Sequence, residues 1–137
     1  MTVHSPAKKR HLETVGNIST LLKLFAQKRQ IGKVFSEKAL IQLTHNDFEP
    51  DVCFFRKEKA QALEEDQLFF PAPDLVVEVL SSGTQQLDRG VKLEDYQLHG
   101  VEQYWLVKTE QKTIEQYVLE GQQYQLVTKA RDGQLLA

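Results

Sequence analysis

The chain has a single cysteine, Cys53, among 137 residues, which excludes an internal disulfide and leaves a structural zinc site without a thiolate pair. Cys53 reads as a small buried hydrophobe. No apolar run approaches the roughly 20 residues that a bilayer helix needs, so no membrane partner is expected. The opening MTVHSPAKKRHLE has basic residues but no apolar stretch behind them. A secretory signal is therefore not expected, and the cytoplasm is the expected compartment. Excess charge of one sign is also lacking, since 17 Lys and Arg stand against 19 Asp and Glu for a net −2. No global field draws this chain to a polyanion, and any contact with nucleic acid must be local. The four histidines, His4, His11, His45 and His99, show no HxH or HExxH spacing, which leaves a zinc hydrolase unsupported. Phosphate-loop, dinucleotide-binding glycine and nucleophile-elbow patterns are missing as well.

What is present suits one ordinary globular domain spanning 1–137. Apolar residues make up 41% and charged residues 26%, and the length allows one sizeable core but not two. From His11, the spacing of Leu12, Val15, Ile18, Leu22 and Phe25 predicts a long amphipathic helix, with Lys28 and Arg29 in its last turn and Gly32 as its stop. AKKRH (Ala7 to His11) reads equally as a solvated helix start and as a phosphate contact. KVFSEKALIQL (Lys33 to Leu43) predicts a strand with Phe35, Ala39, Ile41 and Leu43 on one face, and Glu37 on that same face. THND is a turn, and PDVCFF (Pro50 to Phe55) a second strand that pairs with the first as a hairpin.

RKEKAQALEEDQ (Arg56 to Gln67) is an exposed loop or short helix. DLVVEVL (Asp74 to Leu80) is apolar on both faces, as a central strand should be. QQLDRGVKLEDYQLHG predicts a helix whose Leu87, Val91 and Leu98 form the apolar stripe, with Asp88, Lys92, Asp95 and His99 on the opposite flank. VEQYWLV (Val101 to Val107) is another buried strand, parallel to the last through the helical crossover. TIEQYVLEGQQYQLV is a hairpin turning near Gly121, and Tyr96, Tyr104, Trp105 and Tyr117 read as packing residues. The order α-β-β-β-α-β-β-β implies an α/β or α+β fold, a central sheet flanked by helices.

Within that apolar sheet, Glu78 is out of place. An ionised carboxylate withdrawn from water needs a partner, a cation or a lysine. Glu37 and Asp51 lie on strands expected to neighbour Glu78. If the three converge, they form an oxygen-rich site suited to Mg²⁺ or Mn²⁺; if they do not, each is an acid of a structural salt bridge or, for Glu37, of a bulge turned to water. Lys92 falls one turn after Asp88, where the residues alone favour a solvated helix face. The competing account has Lys92 reaching over the end of the Glu78 strand to hold a phosphate or polarise a water.

PDLVVEVLSSGTQQLDRGVKLEDYQLHGVEQYWLV (Pro73 to Val107), with GKVFSEKALIQL and EPDVCFF upstream, resembles the Uma family of restriction-endonuclease-like proteins in the PD-(D/E)xK nuclease superfamily. The resemblance runs from about His11 to Tyr117. It implies a restriction-endonuclease-like mixed sheet flanked by helices, and a Mg²⁺- or Mn²⁺-dependent endonuclease acting on DNA. Asp51 would be the superfamily's first acid and Glu78 its second. The position two residues after Glu78, where most of the superfamily has lysine, is Leu80, and the Uma pattern places the lysine on the following helix, at Lys92 beside Asp88. Asp74 also matches, as a supporting or strand-entry residue, and Glu37 stands as a third metal acid. Relatives of this kind carry more chain at both ends, so a shortened member is expected. Duplex cleavage implies a homodimer, since one site cuts one strand. A noncatalytic nuclease-like module that binds nucleic acid or a protein partner is the rival reading, and RNA or branched DNA the rival substrates.

Overall fold

The computed structural model describes residues 9–36, 39–80 and 85–131. Its chain order is α1 (Lys9–Arg29), β1 (Gly32–Ser36), β2 (Leu40–Gln42), β3 (Asp47–Phe48), β4 (Val52–Arg56), α2 (Lys57–Gln61), β5 (Phe69–Phe70), β6 (Leu75–Leu80), α3 (Gln85–Leu98), β7 (Gln103–Lys108), β8 (Thr113–Glu120) and β9 (Gln123–Arg131). A six-stranded sheet has the order β1-β4-β6-β7-β8-β9, and β3-β2-β5 form a second, three-stranded sheet. In the larger sheet β6 and β7 run parallel around α3, as the sequence predicts, and the other neighbours are antiparallel. This is a mixed α+β architecture. Among the described residues no helix is long and apolar enough to cross a membrane.

Strand alternation divides the core in two. Val52, Leu75, Val77, Val79, Trp105, Val107 and Ile114 face α1, which contributes Val15, Ile18, Leu22 and Ala26. The outer stripe members Leu12 and Phe25 stay exposed, with the Arg29 guanidinium 4.5 Å above the Phe25 ring. On the other face, Cys53, Phe55, Val76, Leu80, Tyr104 and Leu106 pack with Tyr96 of α3 and with Ile41 and Leu43 of the small-sheet region. The helix ends at Gln30, in the left-handed region at φ 54, rather than at Gly32. Gly32 is required for another reason: a Cβ there would collide with the Phe55 carbonyl oxygen across the β1–β4 ladder.

Two expectations are corrected. Lys33–Leu43 is not one strand: β1 pairs with β4, bringing Phe35 opposite Cys53, whereas β2 leaves for the second sheet, pairing with β3 and β5. The physical reason is coverage, since α3 shields only part of its sheet face and Ile41, Leu43, Phe48 and Phe70 shield more of it. The α3 stripe is also reversed from Val91 onward, the Leu87 and Asp88 side chains lying outside the described residues. Val91 and Leu98 are 53% and 76% exposed, while Asp95 and Tyr96 are buried and Lys92 and His99 half-buried. The polar flank faces inward because partners wait for it: Asn46 Nδ2 donates to Asp95 Oδ2 at 2.8 Å, and His99 Nε2 accepts from the Thr44 amide at 3.2 Å. Gly100, at φ 74, closes the helix with the Val101 amide donating to the Tyr96 carbonyl at 3.0 Å.

Candidate active site

The β4–β6 register pairs Val52 with Val77, which puts Asp51, one step before β4, across from Glu78. Two bonds fasten the acids together. The Val79 amide donates to Asp51 Oδ2 at 2.8 Å, and the Asp51 amide donates to the Glu78 carboxylate. Pro50, fully buried, fixes the approach of the chain to this point.

Glu78 is 4% exposed. Burial pushes its carboxyl up from the usual 4.5 to about 7, against the pull of Lys92, and the neighbouring Asp51 charge adds to the rise. Lys92 of α3 donates to Glu78 Oε2 at 3.2 Å, its Nζ 5.9 Å from the centre of the Phe48 ring. Lys92 thus faces the acid from an inward flank, not from a solvated one. The lysine only partly offsets the burial cost, so the carboxylate is short of positive charge. That shortfall, next to a second carboxylate, is the donor chemistry a hard divalent cation satisfies with one or two acids and retained waters.

Asp74 stands elsewhere, at the entry to β6. Its Oδ2 accepts from the Arg56 amide at 2.7 Å, and its Oδ1 lies 3.2 Å from Lys59 Nζ. Glu37 and the Asp88 side chain lie outside the described residues, so the arrangement brings together Asp51, Glu78 and Lys92 and leaves Asp74 apart. Among the described residues no three His, Cys, Asp or Glu side chains form a group that could hold a metal ion. An open groove lined by Thr44, His45, Asp47, Pro71 and His99 includes none of the three grouped residues.

Sequence reasoning missed two features. His11 Nε2 lies 3.5 Å from Asp51 Oδ1. The signal was its place four residues before Val15 on the stripe that faces the sheet. The other is a second buried lysine–glutamate pair, Lys108 to Glu115 at 3.0 Å, with the Tyr117 hydroxyl donating to Glu115 at 2.9 Å. Period-two alternation from Leu106 puts Lys108 on that sheet face. Tyr96 also presents a buried hydroxyl with no hydrogen-bond partner among the described residues, and burial, followed by the Glu78 charge, raises its pKa.

A family model, Uma2, described as "Putative restriction endonuclease", matches residues 1–137. A solved structure described as "a putative nuclease belonging to DUF820 from Anabaena variabilis ATCC 29413" is similar in fold, with TM-score 0.76 and 19% identity over 90% of this chain and 70% of that one. No curated protein matches.

Proposed function

From the premise that the chain belongs to the Uma2 family, we propose that it is a divalent-metal-dependent nuclease that hydrolyses DNA phosphodiester bonds. The observation that supports this reading best is the buried, charge-deficient Glu78 tied to Asp51 and faced by Lys92. Asp51 and Glu78 would hold the metal, with Glu37 as a third acid and Asp88 supporting Lys92. Bound there, Mg²⁺ or Mn²⁺ supplies Lewis-acid polarisation of the scissile phosphate and a more acidic water. Lys92 sits within reach of the same carboxylate and neutralises charge that builds on the phosphoryl oxygens. The Val79 amide bond keeps Asp51 Oδ2 fixed, so the aspartate needs little reorganisation when a phosphate arrives. Asp74 acts at a distance, holding the entry to β6 in register through Arg56 and Lys59.

The substrate in this reading is duplex DNA, cut by a homodimer in the cytoplasm, one strand per site. The rival, a noncatalytic nuclease-like module, draws on one specific observation: Lys92 already pairs with Glu78. Calorimetric titration of the whole chain with Mg²⁺ and Mn²⁺, followed by a cleavage assay on plasmid DNA, separates them. The expected result is a binding heat lost in Asp51→Ala and Glu78→Gln, with nicking lost alongside. An unchanged heat in both variants removes the metal site.

A further inference from the structure

We propose that His99 is a pH-sensitive latch, which ties the turn from Thr44 to Asp47 onto α3 while its ring is neutral and releases the turn when the ring takes up a proton. The latch stands on geometry outside the Asp51–Glu78 site, and only its consequence for catalysis rests on the nuclease reading. Two contacts fix one ring tautomer. Nδ1 lies 2.8 Å from the Asp95 carbonyl oxygen, which can only accept, so Nδ1 carries the proton. The Thr44 amide, which can only donate, meets Nε2 at 3.2 Å, so Nε2 carries the lone pair. The Thr44 hydroxyl, 2.8 Å from Nε2, joins the amide as a second donor.

A second proton on the ring removes that lone pair. The Thr44 amide then faces another N–H and loses its partner, whereas the hydroxyl can turn round and accept. On α3, Asp95 Oδ1 stands 3.6 Å from Nδ1, and Asn46 Nδ2 holds the other oxygen of that carboxylate at 2.8 Å. A counter-ion for the charged ring is therefore in place. From the turn and β3, His45 and Asp47 line the groove that His99 borders, and the segment after β5 adds the uncharged Pro71 and Ala72. Imidazole is the side chain that changes charge between roughly pH 5 and 8. What the latch reaches is Lys92. Phe48 follows the turn directly, its ring 5.2 Å from that of Tyr96 and 5.9 Å from Lys92 Nζ, so release of Thr44 loosens the strand that sets an aromatic ring against the lysine.

Nitrogen-15 NMR of the full chain, titrated from about pH 8 to about pH 5 where imidazole changes charge, reads each part. At the upper limit the His99 signals should be those of the Nδ1–H tautomer. On acidification the Thr44 amide proton should move upfield. Its protection from exchange, corrected for the intrinsic rate, should fall about tenfold, the worth of roughly one hydrogen bond, and the Phe48 ring signals should shift at the same midpoint. His99→Gln puts an oxygen that accepts but does not titrate near the place of Nε2, and should make Thr44 and Phe48 insensitive over this range. His45→Gln should leave the transition intact. An Nε2–H tautomer at the upper limit, a ring still neutral at the lower one, a Thr44 amide unmoved as the ring titrates, or a transition that survives His99→Gln each overturns the latch. The first three are read on the unaltered chain, so the proposal can fail even where the variant does not fold. The nuclease reading fails separately, in the calorimetric and plasmid assays.

Discussion

Two lysine–glutamate pairs occupy one face of the same sheet, and they differ in completeness. The registers Glu78 to Leu106 and Leu106 to Glu115 put both acids in one row across β6, β7 and β8. Glu115 is 2% exposed and is met by Lys108 at 3.0 Å, Tyr117 at 2.9 Å and Lys129 at 3.9 Å. Glu78, buried as deeply, has Lys92 at 3.2 Å and the Asp51 amide as donors, but a second carboxylate also stands beside it. A buried carboxylate with several donors is structural. One that keeps a like-charged neighbour is costly to the fold, and such costs accumulate where a ligand is to be received.

The comparison can be broken most forcefully at Glu78 itself. If the proposed nuclease reading holds, Glu78→Gln should lower DNA cleavage by at least about a hundredfold in a plasmid-nicking assay, because a neutral amide would neither hold the cation nor form an ion pair with Lys92. Lys108→Met should leave Glu115 short of its main partner and destabilise the fold by about 3 kcal/mol in urea unfolding. Lys92→Met should be far milder at pH 5, where Glu78 can take up a proton and stay neutral.

The pH dependence sharpens the same contrast. The Glu78 pKa is raised on folding from 4.5 to about 7, so between those values the folded chain binds more protons than the unfolded one. Stability tied to this group is present in full below about pH 4.5 and is lost as pH rises through 7, on the order of 3 kcal/mol at most. Urea titrations across that window should show the slope, and Glu78→Gln should remove it. The smallest effect is expected at the other end of β6. Asp74→Asn keeps an acceptor for the Arg56 amide, so it should cost about 1 kcal/mol in a thermal melt and leave metal affinity unchanged.

Where burial follows a local pattern, the sequence was legible. Leu75–Leu80 is buried throughout, the crossover to Gln103–Lys108 is parallel, and the last hairpin turns at Gly121, φ 66. Cys53 is a buried hydrophobe, and the tyrosines pack on one another, Tyr96 on Tyr104 at 5.5 Å and Tyr104 on Tyr117 at 6.4 Å. The break after β1 was hidden because an alternating pattern runs on through residues that serve two different sheets. The α3 face was misread because its buried groups are polar, and their partners, Glu78, Asn46 and Thr44, are distant in sequence. That the Asp51 strand neighbours the Glu78 strand was expected from the sequence and is found in the β4–β6 pairing; the register, which sets Asp51 across from Glu78, came only with the structure. Burial of α1 followed the period of 3.6, but the shift of its stripe from Phe25 toward Ala26 depended on how the helix sits on the sheet.

The central claim is that Glu78 is held short of positive charge until a cation arrives. Carbon-13 NMR of the labelled Glu78 carboxyl, titrated with and without saturating Mg²⁺, tests it most directly. The account predicts a midpoint near pH 7 in the bare protein and a fall of at least one to two units, roughly, when the ion binds. A midpoint at an ordinary carboxylate value that Mg²⁺ does not move would contradict it.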